Sequence, residues 1–170
     1  KDVYAERILP KLIEIYERNK KKQYEEFRKH VTKMQEYQQI SQNNPDFVPP
    51  KSNYDPPQSL VYMEHLRKWN YTMESDSHLA SIYTVLEYNI AINLIQPISL
   101  EIAQGIISTK NIWNFIYSMI DKIHSGKQVE LKQCSYLSGS RDCEKYLVKV
   151  IDNLAQYIKD EETFYKGNIP

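Results

Sequence analysis

The chain has 170 residues, near the size of one ordinary domain, and 41% of them are apolar while 26% are charged. This composition is typical of a globular domain and excludes a disordered chain. Lysine plus arginine equal aspartate plus glutamate at 22 each, which excludes a net charge that attracts nucleic acid or a membrane surface. We predict one helical domain over residues 1–170, and any electrostatic partner has to be recognised by a local patch.

The most apolar stretch of the sequence, Ile90 to Ile107, is interrupted by Asn93, Glu101 and Gln104. A bilayer span needs about 20 mostly apolar residues, so we predict no transmembrane helix and no membrane partner. Because the sequence begins at Lys1 rather than at a methionine, we expect it to be a processed secreted form or a trimmed piece of a longer chain.

The first predicted element is one long helix over residues 3–40. Its apolar side chains recur at three- and four-residue steps: Leu9, Leu12, Ile13, Tyr16, Tyr24, Phe27, Val31 and Met34. Because proline fits only the first turn of a helix or a kink, we expect the regular helix to begin at Pro10. Residues 17–23 are polar on all sides and are predicted to project into solvent.

Residues 41–58 break this pattern with five prolines among asparagines and serines: Pro45, Pro49, Pro50, Pro56 and Pro57. A connection of this length is usually functional or mobile. Asp55 is predicted to cap the next helix, with two prolines in the first turn and Gln58 as the capping-box partner. We expect that helix to run to about Met73.

Ser75, Asp76 and Ser77 are the predicted N-cap of a central helix. Its apolar residues lie on most sides, which is typical of a helix covered by its neighbours: Leu79, Ile82, Val85, Leu86, Ile90, Ile92, Leu94 and Ile95. Pro97 is expected to kink or end this helix, and a short helical piece follows to Ile107.

Two further helices are predicted in the last third of the chain. Ser108 or Thr109 caps the first, which ends before Gly126 and carries a helical stripe of Ile112, Phe115, Ile116, Met119, Ile120 and Ile123. The last helix follows a short turn or helix over 128–137, and its apolar face is formed by Cys143, Leu147, Val150, Ile151, Leu154 and Ile158. Since no strand-type alternation occurs, we predict an all-α, compact bundle of about five or six helices with a long N-terminal helix.

The sequence contains no motif for catalysis or for binding a metal or cofactor. The histidines show no two-histidine metal spacing, and phosphate-binding glycine loops and nucleophile motifs are missing. We therefore predict a protein that is not an enzyme, with no catalytic residues, metal or cofactor.

Cys134 and Cys143 are the only cysteines. An even count at short separation predicts a disulfide in a secreted chain; the alternative is two buried free thiols in a cytosolic protein. A continuous helix would separate positions nine apart by about 13.5 Å, whereas a disulfide needs Cα atoms about 4.4–6.8 Å apart. The disulfide therefore also predicts a helix break between them, at Ser138-Gly139-Ser140.

A basic run on the first predicted helix is the candidate for binding nucleic acid. Aromatic residues interleave with its charges, a combination typical of single-stranded nucleic-acid binding. The alternative is a solvated helix face with i,i+4 pairs such as Glu14–Arg18 and Glu25–Lys29. The candidate patch consists of Arg18, Lys20, Lys21, Lys22, Arg28 and Lys29.

Two other features bear on secretion and contact surfaces. Asn70, Tyr71 and Thr72 form an acceptor sequence for N-linked glycosylation, so Asn70 is a candidate glycosylation site. The chain is also tyrosine-rich, with fourteen tyrosines. Tyrosine is enriched at protein interfaces because it joins contact area to a polar tip. The alternative is a rim of half-buried tyrosines around a helical core.

The order Cys134, Tyr136 and Cys143, in a small tyrosine-rich helical chain, resembles the secreted salivary-gland effectors of aphids known as bicycle proteins, named for their cysteine–tyrosine–cysteine motifs. The resemblance implies that these residues match the family motif and that the protein is delivered into a host plant, whose physiology it alters. We therefore expect a secreted, non-enzymatic interaction protein, an effector acting on a host protein partner. The alternative is a cytoplasmic nucleic-acid-binding or scaffolding helical domain that uses the basic first helix.

Overall fold

A computed structural model of the protein describes residues 1–74, 77–95 and 100–168, and across these residues it contains nine α-helices and no β-strand. In chain order they are α1 (Val3–Asn19), α2 (Lys21–Asn43), α3 (Gln58–Arg67), α4 (His78–Ile95), α5 (Leu100–Ile107), α6 (Lys110–His124), α7 (Lys132–Ser138), α8 (Cys143–Asp152) and α9 (Leu154–Asn168). The predicted all-α class is confirmed. The helix count exceeds the predicted five or six because the first and last predicted helices are each divided in two and short helices add to the total.

Helix α1 begins earlier than predicted. The carboxylate of Asp2 caps it by accepting a hydrogen bond of 2.9 Å from the backbone N–H of Ala5. Pro10 lies inside the helix instead of at its start. The cap and the buried residues from Ala5 onwards outweigh the one backbone hydrogen bond that Pro10 cannot donate.

The predicted helix over residues 3–40 is divided at Lys20, so the expectation of one long N-terminal helix is wrong at this point. In a continuous helix the Cα atoms of Tyr16 and Tyr24 would lie about 12 Å apart. The bend at Lys20 instead brings their ring centroids to 6.1 Å in an edge-to-face contact, and both side chains are buried. Burying the second ring favours the bend, because the polar segment between the two tyrosines has no apolar face of its own.

Helix α3 differs from its prediction at both ends. Its N-cap position is Pro57, with no side-chain cap, so the predicted capping box of Asp55 and Gln58 is wrong. The helix ends at Arg67 instead of about Met73. It ends there because the chain turns to bury Trp69 against the ring of Tyr83.

Helix α4 is the central element, as its apolar composition predicts. It packs against α3, α5, α6, α7, α8 and α9. Its buried side chains are Ala80, Ile82, Tyr83, Val85, Leu86, Ile90, Ala91, Ile92 and Leu94. The predicted cap residues Ser75 and Asp76, and the predicted kink at Pro97, lie outside the described residues.

Helix α6 ends where the sequence predicts. Gly126 follows it with a left-handed φ of 91°, a conformation that glycine adopts without strain. The backbone N–H groups of Gly126 and Lys127 bond to the carbonyls of Ile123 and Lys122, each at 3.0 Å. This is the hydrogen-bond pattern of a Schellman C-cap, which confirms the predicted role of the glycine.

The predicted last helix is divided between α8 and α9. A buried serine of α3 forms hydrogen bonds with two backbone groups at the bend between them. The Ser59 hydroxyl donates to the carbonyl of Asp152 at 2.9 Å and accepts from the backbone N–H of Ala155 at 3.2 Å. All six residues of the predicted apolar face are buried despite the bend. Within the described ranges, no helix is both long and apolar enough to cross a bilayer.

Candidate interaction surface

Helix α2 leaves the rest of the bundle. Tyr24 is its only buried residue among 23, and the helix it contacts most is α1. Its mean hydropathy is far lower than that of α4. A helix with so little buried surface contributes little to the common core, so most of its length faces solvent or its own flanking segment.

The proline-rich connection folds back along α2. The ring of Phe47 lies 6.0 Å from that of Tyr37, and the ring of Tyr54 lies 4.9 Å from that of His30. The connection spans residues 44–57, slightly shorter than predicted because α2 continues to Asn43. We call α2 and residues 44–57 together the arm.

A groove runs along the arm between α2 and the connection. Its volume is about 690 Å³. It is lined by Glu26, Arg28, Lys29, His30, Thr32, Lys33, Glu36, Ser52 and Tyr54. The groove therefore combines three always-positive side chains with two carboxylates and two aromatic rings.

The outer part of the arm exposes large apolar side chains. Met34 and Ile40 on α2 are each 43% exposed, and Val48 on the connection is 82% exposed. Single exposed apolar residues are ordinary on protein surfaces. Here they occur on a projecting element, next to the half-buried rings of Tyr37 and Phe47.

The base of the arm is fixed to the bundle by charged and aromatic contacts. Lys20 pairs with Asp152 at 2.9 Å. Arg28 pairs with Glu17 and lies 5.5 Å from the ring centroid of Tyr24. These contacts hold the first turns of α2 in one orientation.

The structure separates the predicted basic patch into two groups. Arg18, Lys20 and Arg28 form ion pairs with carboxylates of the protein itself. Lys21, Lys22 and Lys29 are exposed and form no ion pair within the described residues. Half of the predicted patch is therefore already neutralised by the fold.

The predicted i,i+4 pairs on the first helix are not formed. Arg18 pairs with Glu144 on α8 at 2.7 Å and donates to the carbonyl of Ile123 at 2.7 Å. Glu14 pairs with His124. Partners from α6 and α8 are available to these side chains only after folding, and they replace the neighbours along α1.

Cys134 and Cys143 form a disulfide, with Cα atoms 5.3 Å apart. Both cysteines are fully buried. Helix α7 ends between them, and Gly139 turns the chain with a φ of 73°, which confirms the predicted helix break. Tyr136, the third residue of the cysteine–tyrosine–cysteine order, is 55% exposed.

The tyrosines belong mostly to the core and its rim. Of the thirteen tyrosine side chains that the structure describes, five are buried, five half-buried and three exposed. The exposed ones are Tyr4, Tyr88 and Tyr136. Eight of these thirteen tyrosines belong to the core or pack against it.

A half-buried acid that sequence reasoning missed contacts two buried tyrosines of the core. The Tyr83 and Tyr117 hydroxyls donate to Oε2 of Glu87 at 2.6 and 3.3 Å. Burial raises the pKa of Glu87, and the hydrogen bond from Tyr83 opposes this shift. Tyr83 and Glu87 are four residues apart on α4, a spacing that could have indicated their contact.

An acid held by two tyrosines could serve acid–base chemistry if substrate reached it. The adjoining cavity has a volume of only about 10 Å³. That is room for one water at most. Within the described part of the chain, no three His, Cys, Asp or Glu side chains are grouped to hold a metal.

A second cleft, of about 700 Å³, lies between α4, α5 and α9. It is lined by Thr84, Val85, Tyr88, Asn89, Gln104, Tyr157, Asp160 and Glu161. The Asn89 amide donates to the carbonyl of Val85 in its own helix, and Asp160 accepts from Gln156. The cleft is lined by both polar and apolar side chains, and the described contacts in it do not include a nucleophile held by a base.

Asn70, the candidate glycosylation site, is exposed on the loop that follows α3. In comparisons with protein-family models, curated proteins and solved structures, nothing matches this chain.

Proposed function

We propose that this protein is a secreted, non-enzymatic interaction protein that contacts a protein partner through its arm. One observation carries the proposal: a 23-residue helix with a single buried residue projects from the bundle. In proteins most of the stability of a helix comes from packing one of its faces against other elements. An element that contributes so little to its own core is well suited to bury surface against another molecule.

The arm is also organised before any partner binds. Tyr24 and the pairs of Lys20 and Arg28 fix its base, while His30 and Tyr37 hold the connection against α2. Ordering a flexible segment on binding costs free energy, and an arm that is already ordered avoids part of that cost.

The arm carries the chemistry of a contact surface. Met34, Ile40 and Val48 supply apolar area next to two aromatic rings, and charged side chains of both signs line the groove of the same arm. Interfaces typically combine an apolar centre with a polar rim. An amphipathic helix can present such a surface to a groove on its partner.

Two observations support secretion and action on a host. A buried disulfide is typical of a protein that matures in an oxidising compartment. Cys134, Tyr136 and Cys143 carry the resemblance to aphid effectors, and an exposed Tyr136 leaves the motif's ring accessible. We propose on this basis an effector that binds a host protein.

The test is partner capture by the full chain with a matched pair of variants. In one variant Met34, Ile40 and Val48 are replaced by serine. In the control, Val3 and Phe115, which are 71% and 46% exposed on the bundle, are replaced by serine. Cross-linked partners from host-tissue extract are quantified by mass spectrometry.

We expect the arm variant to lose a specific partner that the control variant retains. Equal capture by both variants would exclude the arm as the contact surface. A precursor transcript without a signal peptide would remove the secreted assignment independently of the arm.

The alternative function, nucleic-acid binding, is favoured by the groove. Lys29 and Lys33 line it beside the rings of His30 and Tyr54, as in single-strand binding proteins. Contact with about three phosphates would lower affinity about twentyfold between about 50 and 200 mM salt. Replacing Lys29 and Lys33 by glutamate tests this, because both line the groove and form no ion pair within the described residues. Salt-sensitive oligonucleotide binding that this variant loses would favour the alternative.

A further inference from the structure

The loop after α3 holds an acceptor for a covalent sugar. Asn70-Tyr71-Thr72 is the only Asn-x-Ser/Thr sequence among the eleven asparagines of the chain. We infer that Asn70 carries an N-linked glycan in the mature protein, an inference that rests on the proposed secretion.

The hydrogen bonds of Asn70 leave its reactive atom available. Oδ1 of Asn70 accepts from the backbone N–H of Thr72 at 3.1 Å and from the Thr72 hydroxyl at 2.8 Å. Nδ2, the atom to which the sugar is joined, makes no hydrogen bond within the described residues, and the side chain is exposed. A glycan on Nδ2 therefore breaks no hydrogen bond that the structure describes.

The loop beneath Asn70 is held by buried groups. Trp69 is 5% exposed, and its indole N–H donates to the carbonyl of Thr72 at 3.2 Å. The ring of Tyr71 lies 5.4 Å from that of Trp69. The backbone N–H of Asp2 donates to the carbonyl of Tyr71 at 2.7 Å. Since these contacts come from the neighbours of Asn70, the folded loop accommodates a glycan without rearrangement.

The glycosyl transfer forms one bond to Asn70 and breaks one in the sugar donor. The donor is a lipid-linked oligosaccharide diphosphate. Nδ2 of Asn70 attacks C1 of its first sugar, and an N–C1 bond forms as the C1–O bond to the diphosphate breaks. The Nδ2 proton passes to a base of the transferase, and the lipid diphosphate leaves.

The position of the glycan bears on the proposed contact surface. Asp2, which bonds the loop, caps the first turn of α1, whereas the arm begins after its last turn. Helix α1 has 17 residues, which makes it about 25 Å long. The glycan therefore shields the surface around the start of α1, and the arm stays open for a partner.

The experiment uses the full chain expressed behind a cleavable signal peptide in cultured eukaryotic cells. Intact mass is measured on the secreted protein before and after digestion with peptide:N-glycosidase, which converts a glycosylated asparagine to aspartate. We expect one glycan per chain and a conversion confined to Asn70. A secreted, folded chain whose mass equals that of the polypeptide alone would overturn the inference.

Matched variants distinguish the loss of the acceptor sequence Asn70-Tyr71-Thr72 from a failure to fold. Asn70→Gln and Thr72→Val are expected to lose the glycan, and Thr72→Ser to keep it. Asn53→Gln, at an exposed asparagine without a following serine or threonine, is the control that stays glycosylated. Circular dichroism of each secreted variant checks that it is folded. A glycan that survives in Asn70→Gln would place the modification elsewhere and contradict the inference.

The glycosylation experiment and the partner-capture experiment can fail independently of each other. A glycosylated chain that captures no partner would contradict the arm and leave the glycan standing. An unmodified chain that captures a partner through Met34, Ile40 and Val48 would contradict the glycan alone.

Discussion

Glu87 is a half-buried acid whose surroundings raise its pKa. It accepts hydrogen bonds from two tyrosines, and burial is the largest cause that raises its pKa. The negative charge of Asp2 raises the pKa further, and the hydrogen bonds from Tyr83 and Tyr117 lower it. Because the folded-state pKa lies above the unfolded value of 4.5, the protonated form is the one that the fold favours.

This sign predicts how stability responds to pH. Ionisation of Glu87 destabilises the fold as the pH rises from the unfolded value through the raised folded value. We therefore expect Glu87→Gln to raise the melting temperature at pH 7 relative to the native chain. At pH 4 the difference should be small, because the native side chain is then protonated. Thermal unfolding by circular dichroism measures both.

The control for this prediction is Glu25→Gln, at an exposed glutamate on α2. It should change stability little at either pH. A Glu87→Gln protein that is less stable than the native chain at pH 7 would contradict the argument.

Ser59 acts through two hydrogen bonds, one to α8 and one to α9. Its hydroxyl satisfies the carbonyl of Asp152 and the N–H of Ala155 where α8 meets α9. Ser59→Ala leaves both backbone groups without this partner, and we expect a loss of about 1–3 kcal/mol in the free energy of unfolding. Urea denaturation measures the loss. Ser125→Ala, at an exposed serine whose hydroxyl bonds within the described residues only to the carbonyl of Lys122, should stay within about 0.5 kcal/mol.

At the scale of the element, α2 depends on one buried side chain. Tyr24→Ala removes the ring that packs against Tyr16 and under Arg28. We expect a loss of about 3 kcal/mol or more, together with faster hydrogen exchange throughout α2. Hydrogen exchange measured by mass spectrometry locates the change.

The matched comparison is Tyr37→Ala in the outer half of the same helix. Its ring contacts Phe47 of the connection and lies outside the main core. We expect faster exchange in the connection and little change at the base of the arm. Equal effects of the two variants would show that Tyr24 is not the anchor of α2.

At the scale of the whole molecule, the disulfide joins α7 to α8 beneath the central helix. It closes a loop with a sequence separation of 9, for which loop entropy predicts a contribution of about 2–3 kcal/mol. We expect no free thiol when unreduced protein from an oxidising compartment is alkylated and weighed. The Cys134→Ala, Cys143→Ala double variant should fold with reduced stability, because Val150, Ile151 and Leu154 anchor α8 and α9 independently.

Two labelled thiols in such a preparation would contradict the disulfide. That result would also weaken the secreted assignment and the resemblance to aphid effectors, since both draw on Cys134 and Cys143. It would leave the all-α fold unaffected.

Much of the candidate site could be located in the sequence, but which of its charged residues form ion pairs could not be predicted. The run from Arg18 to Lys29 was recognisable as charged and solvent-facing. Which of its members remain unpaired depended on Glu144, Asp152 and Glu17, two of which are distant in sequence. The projection of α2 could not be foreseen, because its apolar residues have the same spacing as those of a packed helix.

The sequence by itself determined the helical class, the central place of α4, the stop at Gly126 and the break between the cysteines. These follow from periodicity and from the backbone preferences of single residues, which act over a few positions. Only the tertiary structure decided the bends at Lys20 and Asn153, the ion-pair partners and the position of the arm. Each of these depends on residues that come into contact only after the chain has folded, such as Ser59 and Asp152. The sequence around one of the two residues does not identify the other.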